Sequence, residues 1–285
     1  MLASFAAAQD WDGLWLFAYA HDPGQWESGC FRSFFDIHAN ASKWGFMQAG
    51  AAIFRDAGLP PLRECRTVLL ARPGEAADEL VRLHARYGSN LFAALAEREK
   101  ITWRDLLAKR LAVAMTQPPA GPSGAPGEGP AMTWQVDQKG HGTFAAAGAG
   151  AVAWTLSAAS SERAAPGQVT LSRPAFAAIT MTALDCLPMH QSRKVLITAC
   201  GRAENTDMVF SQDRRSVGRS WGRAPARIEA VEGTVSLPAG EWECHALAPT
   251  GQASAGVPIQ RGADGKSVVH LSAKWGTMWY LLTRK

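Results

Sequence analysis

The chain has 285 residues, 47% of them hydrophobic and 19% charged, which is ordinary for a soluble globular protein and suggests roughly two domains. Its net charge of +4 arises from basic and acidic residues that are interspersed, so no nucleic-acid footprint stands out. Eleven Trp stand against three Tyr; flat aromatic planes stack on sugar faces, and they also fill cores.

The N-terminal part reads as helix and strand. Leu2 to Gln9 has the look of a helix tail. Gly13 to Ala20, GLWLFAYA, is almost wholly apolar, the pattern of a strand buried on both faces in a parallel sheet. A polar loop from His21 to Ser28 follows. Ser42 then caps a helix through Ala57, with Trp44, Met47, Ala51 and Phe54 on one face and Gly58 and Pro60 as its stop. Helix, strand, loop and helix in that order is the rhythm of an α/β barrel. Val68 to Ala71 reads as one more short strand, and Glu75 to Tyr87 and Trp103 to Met115 as amphipathic helices.

Gln117 to Pro130, QPPAGPSGAPGEGP, is dominated by Pro and Gly and holds no large apolar side chain, so it reads as a linker. Beyond it the pattern changes to short strands separated by turn signals. The expected strands are Thr133–Val136, Val152–Leu156, Val169–Leu171, Phe176–Leu184, Lys194–Cys200, Ala226–Leu237, Trp242–Ala248, Val268–Leu271 and Thr277–Leu282. This is a β-sandwich signature. The expected organisation is therefore residues 1–116 as one part, a linker at 117–130, and a β-sandwich accessory domain at 131–285.

Two stretches, AAAQDWDGLWLFAYA at Ala6–Ala20 and FFDIHANASKWGFMQAGAAIFRDAGL at Phe34–Leu59, resemble the last barrel strand and last barrel helix of (β/α)8 glycoside hydrolases of the cellulase-like or β-galactosidase-like kind. LDCLPMHQSRKVLITACGRAENTDM and SWGRAPARIEAVEGTVSLP are similar to the β-domain that follows such barrels. The fold class implied is α/β plus all-β: the incomplete C-terminal portion of a (β/α)8 barrel with extra helices, followed by a β-sandwich. About 117 residues before the linker cannot hold a complete barrel, which takes roughly 200 to 250. The resemblance implies that the catalytic acid and nucleophile belong to earlier strands, upstream of Met1. A glycosidase needs two carboxyl groups across the scissile bond, and no residue here matches either role, so the catalytic residues are unassigned.

The candidate substrate-binding residues are Tyr19, His21, Trp26 and Glu27. Tyr19 and His21 lie at the C-terminal end of the expected strand, where barrel active sites open, and alternation puts them on one face. Trp26 and Glu27 lie in the loop beyond; Trp offers a stacking plane, His and Glu bond hydroxyls. Asp10 and Asp12 flank Trp11 at the other end of the strand, where they read as groups bonding nearby backbone. In GRAENTD, Arg202 and Glu204 read as an ion pair and Asn205 as a turn former. Trp221 and Trp275 read as core or edge aromatics.

No cofactor is implied. His141, His190 and His245 lack second ligands at metal spacing, and GHG at Gly140–Gly142 reads as a turn. Cys30, Cys65, Cys186, Cys200 and Cys244 form no CxxC pair and read as buried free thiols. The start lacks the basic residues of a signal peptide, and no apolar stretch reaches membrane-span length. The expected partner is a carbohydrate substrate, with no nucleic acid and no membrane. Oligomeric state and compartment stay open, a secreted or periplasmic parent among the options. The alternative is a non-catalytic carbohydrate-binding or interaction protein built on the β-sandwich.

Overall fold

The computed structural model describes residues 1–55, 58–70, 81–82, 84–86, 88, 90–114, 131–138, 141–157, 161–164, 167–261 and 265–285. The linker expected at 117–130 and most of the helix expected at 75–87 lie outside these residues. Within them the protein is mostly sheet, with a few short helices and open rather than closed sheets.

Most of the structure is two antiparallel sheets that share one core. The larger has eight strands. Its central members are β5 (Ala151–Ser157), β8 (Phe176–Ala183), β9 (Lys194–Cys200), β17 (Trp279–Arg284) and β13 (Trp242–Leu247). β4 (Gly142–Ala147) and β3 (Ala131–Val136) extend one side, and β14 (Ala253–Gly256) closes the other. The smaller sheet has five, in the order β15 (Ile259–Arg261), β16 (Ser267–Leu271), β12 (Glu232–Ser236), β7 (Gly167–Arg173) and β6 (Ser161–Ala164). Period-two alternation explains the register. Val169, Val235 and Val269 lie opposite one another and all point inward, while their neighbours Thr170, Thr234 and His270 form the next row on the outer face. The inward row meets Trp154, Ile179, Met181, Ile197 and Tyr280 of the larger sheet.

The N-terminal helices cover the outside of the larger sheet. α1 (Leu2–Ala8) and α3 (Met47–Phe54) set Ala7, Ala8 and Ile53 against Ala151 and Ala153 of β5. Small side chains on both surfaces let helix and sheet approach closely. Gly148 is part of this approach: a Cβ there would lie 2.3 Å from the Gly58 carbonyl oxygen. Gln9, buried at the end of α1, donates from its amide to Leu106 O (3.0 Å) and Lys109 O (2.8 Å) and accepts from Leu111 N (2.8 Å). One side chain thus ties α1 to the far end of the N-terminal part.

Several expectations are corrected. Gly13–Ala20 is not a strand: the carbonyls of Ala18 and Tyr19 accept from Ile37 N (3.2 Å) and His38 N (3.0 Å) without forming a ladder, and Trp15 and Phe17 are 85% and 71% exposed. No piece of a closed barrel is present among the described residues. The parallel pairing seen is a two-stranded one, β1 (Cys65–Leu69) with β2 (Arg110–Ala114), joined through α4 (Leu91–Arg98) and α5 (Asp105–Ala108). β2 occupies sequence expected to continue the helix from Trp103; backbone pairing with β1 overrides the amphipathic pattern. The helix expected from Ser42 is two: α2 (Ala41–Trp44), capped by Asn40, whose side chain accepts from Lys43 N (3.3 Å), and α3. Ala226–Leu237 is also two strands, β11 (Arg223–Ile228) and β12, in different sheets. β11 pairs with β10 (Ala203–Thr206). Cys65 and Cys186 are exposed; Cys30, Cys200 and Cys244 are buried, and all five are free.

Candidate functional site

The loop from Gly13 to Phe46 gathers the expected site residues on an exposed surface. Asp22 caps a one-turn 3-10 helix, Pro23–Gln25, by accepting from Gly24 N (2.9 Å), and this turn presents Trp26. The Tyr19 ring centre lies 6.0 Å from Trp26, edge to face, and 6.1 Å from both His38 and Trp44. Trp26 and Tyr19 remain 56% and 48% exposed.

His21 turns to a different set of neighbours. Its ring packs near Phe17 (5.2 Å) and Phe35 (6.2 Å). Its Nδ1 lies 2.6 Å from Asp36 Oδ1, which also accepts from the His21 backbone N–H (3.2 Å). Asp36 is 1% exposed. A carboxylate only accepts, so Nδ1 carries the proton of this bond. Nε2 has no partner among the described residues. Lys43 closes the loop below, its ammonium donating to the carbonyls of Phe34 and Asp36. Burial lowers the Lys43 pKa, and the Asp36 charge partly opposes that.

His38 makes a second polar pair. Ser28 Oγ donates to Cys30 O (2.8 Å), so it accepts from His38 Nε2 at 3.2 Å, leaving His38 Nδ1 buried without a partner. Glu27 is exposed and forms no hydrogen bond or ion pair among the described residues. Tyr19 and His21 therefore do not share a face by strand alternation, because no strand is there to impose it. The loop brings Tyr19 to Trp26 and sends His21 to Asp36.

The remaining flagged residues have structural partners. Asp10 pairs with Arg110 rather than with nearby backbone. Glu204 pairs with Arg214, not Arg202. Asn205 is buried in β10 and holds the loop to the sheet: it accepts from Phe31 N (3.1 Å) and donates to Phe31 O (2.6 Å) and Trp221 O (2.8 Å). Trp221 packs 4.9 Å from Phe34. Asp36, His38, Phe17 and Phe35 were not among the expected site residues. Asp36 is as buried as its neighbour Ile37, so no surface pattern in the sequence marked it as a polar partner of His21.

No three-residue His, Cys, Asp or Glu group able to hold a metal exists among the described residues, and no helix there is long and apolar enough to cross a membrane. Comparison with family models, with curated proteins and with solved structures finds no match for this chain.

Proposed function

We propose that the chain belongs to a carbohydrate-active enzyme, as the C-terminal portion of a glycoside hydrolase, and that the Gly13–Phe46 loop is one wall of its saccharide site. The observation that carries this reading is the exposed aromatic group Tyr19, Trp26 and Trp44 beside the His21–Asp36 pair. Aromatic planes take the C–H face of a sugar, and the free Nε2 of His21 hydrogen-bonds a hydroxyl. Buried Asp36 holds the imidazole in one orientation for that contact.

Residues 12–17 support the reading of this loop as a surface that a larger protein covers. Their backbone N–H and C=O groups make no hydrogen bond among the described residues, while Trp15, Leu16 and Phe17 are exposed. Large apolar side chains exposed together call for a covering layer. The rest of such a hydrolase would supply it. In that setting the residues of this loop bind and orient sugar. Hydrolysis through an oxocarbenium-like transition state needs two free carboxyl groups. Of the three carboxylates in the loop, Asp22 caps a turn and Asp36 is bonded to His21, which leaves Glu27 alone.

Two outcomes are expected. The purified chain turns over no aryl glycoside or polysaccharide; turnover abolished by Glu27→Gln would refute this. In the full hydrolase, Trp26→Ala weakens substrate binding by about 1–3 kcal/mol, the range of aromatic stacking on a planar ring, with the melting temperature nearly unchanged. Unaltered binding would remove Trp26 from the site.

A further inference from the structure

The solvent face of the five-stranded sheet carries a cleft of about 530 Å³, inside the roughly 300–1,000 Å³ usual for small-molecule sites. The antiparallel register builds its floor. Thr234 and His270 lie side by side in it on the outward row, opposite the valines that enter the core, and Thr170 continues the row beyond the cleft lining. The hydroxyls of Thr170 and Thr234 are bonded to each other at 2.6 Å. His270 and, on the edge strand β15, Gln260 are exposed, and neither side chain has a hydrogen-bond partner among the described residues.

One lip is an aromatic plane. After β16 the chain makes a single 3-10 turn, Ala273–Trp275, in which Ser272 Oγ accepts from Lys274 N (3.4 Å). Gly276 then ends the turn in the left-handed region, at φ 58°, where glycine pays no steric penalty. Trp275 is left lining the cleft with part of its surface packed on the core, so the indole is already ordered before any ligand arrives. The Lys274 ammonium rests 4.5 Å from the ring centre on a long exposed stem.

The chemistry of this lining is specific. It offers an ordered indole, an imidazole, a carboxamide and hydroxyls. Its acid, Glu232, is neutralised by Arg173 at 2.7 Å. Lys274 is then the one uncompensated cation among the described lining residues, which is too little for a phosphate or polyanion site. Uncharged donors and acceptors beside an aromatic plane match a neutral sugar, with its apolar C–H face and ring of hydroxyls. We propose that this cleft is a non-catalytic binding site for neutral saccharides. Trp275 is the stacking plane and His270 and Gln260 bond hydroxyls. Lys274 swings off the indole to the rim as the sugar seats. The site stands apart from the Tyr19–Trp26 wall and does not depend on it.

The test is calorimetric titration of the full chain with neutral oligosaccharides, namely cello-, xylo-, manno- and galacto-hexaose. At least one is expected to bind. His270→Ala and Gln260→Ala each weaken it severalfold, and Trp275→Ala by about tenfold or more, the scale of one lost stacking contact. Trp275→Phe retains most of the affinity. Because Trp275 also touches the core, its alanine variant is judged together with the two exposed ones, whose melting temperatures should equal that of the parent. Failure of all four sugars to bind overturns the proposal, as does binding that survives both His270→Ala and Gln260→Ala at full strength. Binding lost in Trp26→Ala but kept in the His270 and Gln260 variants puts the sugar on the N-terminal wall. That result overturns the cleft and upholds the wall.

Discussion

Asn205 commits both amide protons and its carbonyl oxygen to backbone groups of Phe31 and Trp221. Phe31 is buried, so removing the amide strands its N–H and C=O without water to replace the bond. Asn205→Ala should therefore cost about 3 kcal/mol, read from the urea midpoint, and speed amide exchange at Phe31. A loss below about 0.5 kcal/mol would mean that other contacts hold the loop. The cysteines give a second residue-level expectation. Burial pushes the thiols of Cys200 and Cys244 up to about 12, with the Glu229 charge adding to the effect at Cys200. Both stay protonated at pH 8, and a thiol is a poor nucleophile. Iodoacetamide at pH 8 should label exposed Cys65 and Cys186 and leave Cys200 and Cys244 untouched in the native protein. Equal labelling by mass spectrometry would contradict their burial.

At the scale of elements, the connection between β8 and β9 is held by a carboxylate. Asp185 accepts from Ser192 Oγ (2.8 Å) and from Arg193 N (2.8 Å). Burial alone would raise its pKa, but these hydrogen bonds together outweigh burial and the net shift is downward. A depressed folded-state value means that the contribution is present above the unfolded value, about 3.9, and is lost as pH falls through the lower folded value. Asp185→Asn should destabilise by about 1 kcal/mol at pH 7, a figure reduced for solvent screening, and the gap to the parent should close as pH falls through the depressed folded value. A gap independent of pH would assign the effect to packing. Elements also show where local pattern fails. The expected helix from Trp103 stops after Ala108, because Arg110–Ala114 finds a parallel partner in Cys65–Leu69. Propensity is a weak preference, and a ladder of backbone bonds outweighs it.

At the scale of the whole molecule, the core of the two packed sheets is drawn from Ala145 to Leu282. Residues 131–285 expressed alone should therefore melt cooperatively. They should not behave as a finished surface. Phe5 stacks on Phe144 at 5.9 Å, and α1 and α3 cover Ala151 and Ala153. Without the N-terminal part this apolar patch is open, and a patch of that kind drives association. The fragment should bind a hydrophobic dye and elute as oligomers, whereas the full chain should bind less dye per molecule. A monomeric, dye-silent fragment would show that the helices are dispensable cover.

By itself the sequence determined what depends on neighbours along the chain. Lys194–Cys200 is a strand at the expected residues, and α1 and α3 lie where helices were expected. The sheet-rich second half follows from alternation, because a side chain's face in a strand is set by parity alone. The aromatic and histidine content of the 19–27 loop was legible in the same way. Only the tertiary structure decided which groups meet. His21 finds Asp36 fifteen residues on, and Asn205 finds Phe31 across 174. Gly13–Ala20 reads as a strand in one dimension, yet a strand is a pairing, and nothing in a local pattern supplies the partner. Cys65–Leu69 and Arg110–Ala114 became a parallel pair because intervening helices folded their ends together. Local sequence sets dihedral preference and facing; contact between distant residues is set by how the whole chain closes on itself.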